Sequence, residues 1–245
     1  MRQYDFDQVI ERRNTNSLKY DFAVEHHRPA DVLPLWVADM DFRAPDPVLE
    51  ALHRAVDHGI FGYSDGKEDY YQAVSDWFLR HFGWQTQPDW LVKTPGVVFA
   101  LAMAVRTLTR PGDGVLIQPP VYYPFANVVR NNERELVENP LRCQDGRYTV
   151  DFADFECKIV SRNVKLFILC SPHNPVGRVW SREELRQMGD ICRKHGVYVV
   201  SDEIHCDFAF PEHPHTIFLD ANPELTDRTI ICTAPSKTFN LAGLQ

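Results

Sequence analysis

The sequence lacks any hydrophobic run long enough to cross a membrane, and it lacks a cluster of basic residues. Its longest apolar stretch covers residues 96–105, whereas a membrane-spanning helix needs about 20 residues. Residues 1–10 carry charges early and contain no apolar run, so no signal peptide is expected. The 26 basic and 34 acidic side chains give a formal net charge of −8, which argues against nucleic acid and anionic membranes as partners. These absences predict a soluble, cytoplasmic protein.

The sequence also lacks closely spaced cysteines. No two of the six are nearer than thirteen residues, which excludes a Cys-x-x-Cys metal or redox motif. Those in or beside apolar runs are expected to be reduced, buried thiols: Cys170, Cys192, Cys206 and Cys232. The pair His213 and His215 lies in a turn-rich loop without a Cys or carboxylate partner at ligand spacing. We therefore interpret both histidines as solvated surface and expect no metal.

Length and composition indicate an ordinary globular chain. The 245 residues are 44% hydrophobic and 24% charged, which suits one large or two small domains. Residues 1–45 are irregular and are predicted to form an N-terminal arm or a segment of a small domain. Residues 46–245 are predicted to form one large domain.

Helices and strands alternate through this large domain. One predicted helix has Asp46 as its N-cap and is ended by Gly59, and another has a capping box formed by Ser181 and Glu184. Hydrophobic spacing predicts helices over residues 67–82, 96–108 and 181–195. Apolar runs predict strands around 91–92 and over 115–117, 164–170, 197–200 and 229–232. This alternation predicts a three-layer α/β/α fold with a mainly parallel sheet.

Three chemically useful side chains follow three of the predicted strands. Asn174, Asp202 and Lys237 come after the strands over 164–170, 197–200 and 229–232. In open α/β sheets, ligands bind just outside the carboxyl ends of the strands. The backbone N–H groups of the helix after Gly96 add a site for an anion such as phosphate.

An amide, a carboxylate, a lysine and an anion site share one economical explanation. The lysine forms a Schiff base with a cofactor aldehyde, the carboxylate pairs with a ring nitrogen, and the helix start takes a phosphate. Pyridoxal 5′-phosphate (PLP) has all three features. From spacing alone, simpler interpretations stay open: Lys237 as a surface lysine, Asp202 as a helix cap and Asn174 as a turn residue.

Five motifs extend this argument over nearly the whole chain. They occupy residues 36–42 (WVADMDF), 119–125 (PPVYYPF), 171–177 (SPHNPVG), 201–205 (SDEIH) and 234–244 (APSKTFNLAGL). Together they resemble the fold-type I PLP enzymes of the class I/II aminotransferase superfamily. More narrowly, they resemble the MalY/PatB group of cystathionine β-lyases, which are C–S lyases.

The resemblance implies a set of roles around the cofactor. Lys237 would carry the internal aldimine and then shuttle the Cα proton. Asp202 would keep the pyridine nitrogen protonated, Asn174 would bond the ring 3′-oxygen, and Tyr122 would stack on the ring.

Further roles follow from the same resemblance. The backbone amides of Val97 and Val98, with Ser236, would hold the cofactor phosphate. Tyr63 would reach the phosphate of a partner subunit, which implies a homodimer. Two other aromatic residues, Trp36 and Tyr123, would border the substrate, although aromatic residues of this kind are also common in cores and interfaces. His205 stands where many aminotransferases have tyrosine; it either touches a cofactor oxygen or is an ordinary hydrogen-bonded histidine.

Three functions are compatible with these residues. The first is a β-lyase that cleaves L-cystathionine or another cysteine S-conjugate to a thiol, pyruvate and ammonia. The second is an aminotransferase, and the third is a non-catalytic regulatory or interaction protein. His205 together with the motifs at 36–42 and 119–125 favours the lyase.

The chain ends at Gln245, soon after Lys237, where members of the resembled family continue. Those members add a small domain whose arginine binds the substrate carboxylate. We therefore expect a fragment that, in isolation, dissolves poorly and has little or no lyase activity.

Overall fold

The computed structural model describes residues 4–244. The chain divides into two compact units, Met1–Tyr63 with Pro235–Gln245, and Ser64–Ala234. The predicted division after residue 45 stays a prediction.

The second unit is built on a parallel sheet. The strands are β1 (Gly114–Ile117), β2 (Glu135–Glu138), β3 (Arg142–Gln144), β4 (Arg147–Thr149), β5 (Val164–Cys170), β6 (Tyr198–Asp202) and β7 (Thr229–Cys232). Five of them form one sheet in the order β2-β1-β5-β6-β7, with every neighbouring pair parallel. The other two, β3 and β4, form a small antiparallel hairpin.

Eight α-helices accompany the strands in the described part of the chain. They are α1 (Asp46–His58), α2 (Glu68–Phe82), α3 (Val97–Leu108), α4 (Pro124–Asn131), α5 (Phe152–Ser161), α6 (Arg182–His195), α7 (Phe218–Ala221) and α8 (Pro235–Thr238). The predicted capping box of Ser181 and Glu184 begins α6, and Gly196 ends it in the left-handed region at φ +68°. Between residues 4 and 244, no helix has the length and apolar character that crossing a bilayer requires.

Apolar side chains cover both faces of the sheet. Successive strand residues point to opposite faces, so Leu116 joins Phe167 in one buried cluster while Ile117 joins Ile168 in the other. The first cluster also contains residues of α5, α6 and α7, and the second contains residues of α3 and α4. Burial of each large side chain contributes roughly 1.5–3 kcal/mol. The sheet is therefore enclosed by helices, which confirms the predicted three-layer fold.

Several predicted elements need correction. Residues 91–92 follow a 3₁₀ helix, Pro88–Trp90, and are not assigned to a strand. An apolar pair becomes a strand only where a neighbour completes its hydrogen bonds, and the described residues supply none there. Asp46 is the first residue of α1, and the N-cap position is taken by Pro45. The strand predicted over 197–200 instead runs from Tyr198 to Asp202 because its pairing continues through the two polar residues.

Candidate active site

The carboxylate of Asp202 lies at the carboxyl end of β6. Asp202 is buried, and its backbone oxygen accepts a hydrogen bond from the N–H of Ser171 at 2.9 Å. Its Oδ1 accepts from the N–H of Ile204 at 3.2 Å. Register pairs Asp202 with Cys170 of β5 and with Cys232 of β7. Strand pairing on both sides therefore fixes the place of this carboxylate.

Asn174 lies on the loop that follows β5. Its backbone N–H donates to the Sγ of Cys170 at 3.3 Å, and its side chain is half-buried. Burial, together with the charge of Asp202, raises the pKa of the Cys170 thiol and raises the pKa of Cys232 to about 12. Both thiols are therefore neutral. Cys170 connects the Asn174 loop to the strand position next to Asp202.

His173 links two loops, although its position in the sequence predicts no role of its own. Its imidazole is buried, and Nε2 donates to the carbonyl oxygen of Pro120 at 3.0 Å. The ring also makes an edge contact with Trp180, with centroids 5.5 Å apart. Burial lowers the pKa of His173 to about 4, so the imidazole is neutral at pH 7. The polar residue beside Asn174 in the 171–177 motif was the available signal.

Tyr122 follows the loop that His173 holds. Its ring is half-buried and makes an edge contact with Phe125, with centroids 6.1 Å apart. Burial, followed by the neighbouring Tyr123 and Asp202, raises the pKa of the Tyr122 hydroxyl. A neutral phenol ring thus lies close enough to the Asp202 carboxylate to respond to its charge. The neighbouring Tyr123 is 74% exposed.

The start of α3 offers backbone donors. Gly96 precedes it at φ +93°, a conformation that residues with a Cβ rarely adopt, and no side chain caps the helix. Val97 is buried in the same apolar cluster as Tyr122 and Cys232, whereas Val98 is partly exposed. Val97 thus packs in the cluster that contains Cys232 at the end of β7, and the first N–H groups and dipole of α3 favour an anion.

His205 lies on the loop after β6. It is half-buried, and its ring makes an edge contact with Phe208 at a centroid distance of 6.2 Å. The 3₁₀ helix that follows, Cys206–Phe208, is tied to α2 because Trp77 Nε1 donates to Asp207 Oδ1 at 3.0 Å. The loop is therefore anchored, and the predicted cofactor contact of His205 stays a prediction.

Buried Glu203 and His215 were not recognised in the sequence. His215 is 8% exposed, so its interpretation as solvated surface is wrong, whereas its neighbour His213 is exposed. The Nε2 atom of His215 lies 2.7 Å from Oε2 of the fully buried Glu203. That carboxylate also accepts from Ser201 Oγ at 2.8 Å and from the N–H of Phe218 at 3.0 Å. The described residues contain no group of three or more metal-ligating side chains.

Four predicted site residues belong to the other compact unit and are described by themselves. In α8, Ser236 is buried and Lys237 is half-buried. Trp36 is half-buried, and the guanidinium carbon of Arg28 lies 3.9 Å from its ring centroid. Tyr63 is fully exposed. The roles of these four residues stay predictions.

The comparison with protein families decides the classification. The model of class I and II aminotransferases matches residues 30–245. The chain belongs to this family. The match confirms the family that the five sequence motifs predict.

Individual relatives show which members of this family the chain is similar to. The chain is 50% identical to cystathionine β-lyase PatB of Bacillus subtilis, over 98% of this chain and 62% of PatB. Cystalysin of Treponema denticola, solved with pyridoxal 5′-phosphate, is 44% identical with a TM-score of 0.93, over 99% of this chain and 62% of that structure. The PLP-bound C–S lyase of Staphylococcus hominis is 37% identical with a TM-score of 0.93, over 99% and 61%. The chain therefore spans about three fifths of the length of these relatives.

Proposed function

We propose that this chain belongs to a PLP-dependent C–S β-lyase that cleaves L-cystathionine or another cysteine S-conjugate. The proposal rests mainly on the buried carboxylate of Asp202 at the carboxyl end of β6. Burial, Tyr123 and the charge of this carboxylate together raise the pKa of the Tyr122 hydroxyl. The 50% identity to cystathionine β-lyase PatB supports the choice of lyase over aminotransferase.

The donor set in the second unit fits PLP. The uncapped start of α3 supplies N–H groups for a phosphate, with Val97 and Val98 in its first turn. The Asp202 carboxylate would accept a hydrogen bond from a protonated ring nitrogen. The Asn174 amide would donate to the ring oxygen, and the Tyr122 ring offers a flat surface for stacking. Ser236 belongs to the first unit, and its predicted role in holding the phosphate stays a prediction.

When bound, PLP supplies an electron sink for the electrons released as a substrate Cα–H bond breaks. Asp202 would keep a proton on the ring nitrogen, since a buried carboxylate stabilises positive charge on its partner. Each unit by which Asp202 raises the pKa of that nitrogen corresponds to about 1.36 kcal/mol. The neutral Cys170 and Cys232 thiols beside Asp202 add no competing negative charge.

Lys237 would hold the cofactor aldehyde through its amine, and the Nζ that is freed when the substrate amine takes over the aldehyde would then move protons. Its Nζ would accept the Cα proton of the substrate, and the C–H electrons would expel the sulfur from Cβ. The same Nζ would return a proton to the leaving thiolate. The three-carbon remainder takes up one water to give pyruvate and ammonia, so cystathionine plus water yields homocysteine, pyruvate and ammonia.

The remaining predicted roles complete the proposal. Trp36 and Tyr123 would border the substrate, and His205 would lie beside the cofactor oxygen. The fully exposed Tyr63 would reach the cofactor phosphate of a partner subunit, which requires a homodimer. We propose a cytoplasmic location for this enzyme.

The test is product analysis of the full-length protein with PLP and L-cystathionine. The proposal predicts pyruvate and a free thiol in equal amounts without an added keto acid. Transfer of the amino group to an added keto acid, without thiol release, would support the aminotransferase instead. Absence of both reactions, with the cofactor bound, would support a non-catalytic role.

A further inference from the structure

Asn240 connects two distant segments of the first unit through its side chain. Its Oδ1 accepts from the N–H of Met40 at 3.1 Å, and its Nδ2 donates to the carbonyl oxygens of Met40 at 3.0 Å and Phe42 at 2.9 Å. A carboxamide has two N–H donors and one carbonyl acceptor, and all three functions are used here. The Asn240 side chain therefore matches the hydrogen-bonding groups of the 40–42 backbone with a donor and acceptor pattern that few other side chains reproduce.

The backbone around Asn240 ties it to Lys237. The residue has φ +57°, in the left-handed region that asparagine tolerates better than most residues. Its N–H donates to the carbonyl oxygen of Lys237 at 3.4 Å, and the N–H of the next residue, Leu241, donates to the carbonyl oxygen of Ser236 at 2.9 Å. The turn that ends α8 thus holds Asn240 at a fixed distance from the lysine.

Charged residues also hold the segment over residues 39–42, and Arg12 Nη1 donates to the Met40 carbonyl oxygen at 3.2 Å. Arg12 Nη2 lies 2.5 Å from Asp39 Oδ2, and its Nη1 lies 2.7 Å from Asp41 Oδ1. The buried Lys19 donates to Asp41 Oδ2 at 2.9 Å and to the backbone oxygen of Asp39 at 3.0 Å. Residues 39–42 are thus held both by Asn240 and by these charged residues, and Trp36 lies just upstream in the sequence.

We propose that Asn240 is a positioning residue that keeps the Lys237 segment and the 36–42 segment in a fixed position relative to each other. This inference rests on the proposed function, in which Lys237 supplies the reacting amine and Trp36 borders the substrate. Loss of the Asn240 amide would free one segment from the other. The substrate would then be less well oriented relative to the Lys237 amine, although the cofactor contacts proposed for the second unit would stay intact.

Two substitutions in the full-length protein distinguish the effect of the Asn240 side-chain amide from the effect of its backbone conformation. Asn240→Gly removes the side chain and suits a positive φ, so it relieves backbone strain. Asn240→Asp keeps the size and the acceptor but turns an oxygen toward two carbonyl oxygens. Asn16→Gly is the matched control, since exposed Asn16 also has φ +60° and makes no bond to residues 36–42.

The first measurement is hydrogen exchange of the cofactor-free protein. Exchange over residues 36–42 should accelerate by about tenfold in both Asn240 variants and stay unchanged in Asn16→Gly. The second measurement is steady-state kinetics with cystathionine. We expect kcat/KM to fall about tenfold to hundredfold in the Asn240 variants, with bound PLP per chain unchanged.

Unchanged exchange at 36–42 in the Asn240 variants overturns the inference. Faster exchange with unchanged kcat/KM also overturns it, because the contact would then be only structural. A wild-type protein that neither binds PLP nor releases pyruvate refutes the proposed function instead. The exchange result then still decides whether Asn240 couples the two segments.

Discussion

The imidazole of His173 lies 3.0 Å from the carbonyl oxygen of Pro120, and this hydrogen bond joins the loop of Asn174 to the loop of Tyr122. The pKa of His173 is lowered by burial, so the connecting imidazole carries no charge at neutral pH. Two predicted cofactor contacts thus depend on one neutral side chain, and acidification would place a positive charge in its buried site.

Stability should therefore fall on acidification through His173. Its pKa is about 4 in the folded state, whereas an unfolded histidine titrates near pH 6.5. Between these values the unfolded chain binds more protons, so the free energy of unfolding decreases as pH falls from about 6.5 to 4. The contribution is complete above pH 6.5 and amounts to about 3 kcal/mol. Urea unfolding at several pH values measures it.

The control for this pH dependence is His173→Gln, which keeps an N–H donor for Pro120 but does not titrate. This variant should show a smaller slope of unfolding free energy between pH 6.5 and 4. An identical slope in both proteins would mean that His173 is not the group responsible.

Removal of the Asp202 charge should strongly reduce turnover but preserve the fold. Asp202→Asn keeps the shape at the end of β6 and loses the negative charge that holds a proton on the ring nitrogen. We expect pyruvate release from cystathionine to fall at least about hundredfold, with a near-native circular dichroism spectrum. Asp190→Asn, on the exposed surface of α6, should retain full activity. Comparable activity in both variants would remove Asp202 from the mechanism.

Glu203 should contribute strongly to stability. It is fully buried and accepts hydrogen bonds from Ser201, His215 and Phe218. Glu203→Ala leaves all three donors buried without an acceptor, and we expect a loss of about 3–5 kcal/mol in the free energy of unfolding. Glu212→Ala, at an exposed position of the following loop, should change it by less than about 0.5 kcal/mol. Equal effects in denaturant unfolding would refute the importance of the buried cluster.

The cysteines should react in two classes. Cys143 and Cys157 are exposed, and the other four are buried. Burial raises the pKa of each buried thiol, so the reactive thiolate is scarce there. A disulfide exchange reagent should modify two thiols per native chain and all six after denaturation. Rapid modification of Cys170 or Cys232 in the native protein would contradict the packing around Asp202.

Local sequence signals were sufficient for much of the fold. The strand over 164–170 was predicted with its observed bounds because six of its seven residues are apolar. The ends of α6 were predicted within one residue because the capping box and Gly196 are themselves sequence features. The order of the sheet was not predicted, since pairing of β1 with both β2 and β5 is set by tertiary packing.

The candidate site was predicted in part. Asn174 follows a buried strand and Asp202 ends one, and their positions after apolar runs identified them. The burial of His215 was missed because its neighbours, Pro-Glu-His-Pro-His, are typical of a surface turn. Its partner Glu203 is separated from it in sequence, so only the folded chain brings the pair together. Asn240 was missed for the same reason, as its contacts span two hundred residues.

The most direct test of the account is to locate the cofactor bond. The full-length protein is loaded with PLP, reduced with borohydride, digested and mapped by mass spectrometry. We expect a pyridoxyl adduct on Lys237 in the wild-type protein and no such adduct in Lys237→Ala. An adduct on a different lysine, or no adduct in protein that retains PLP, would contradict the central role given to this amine.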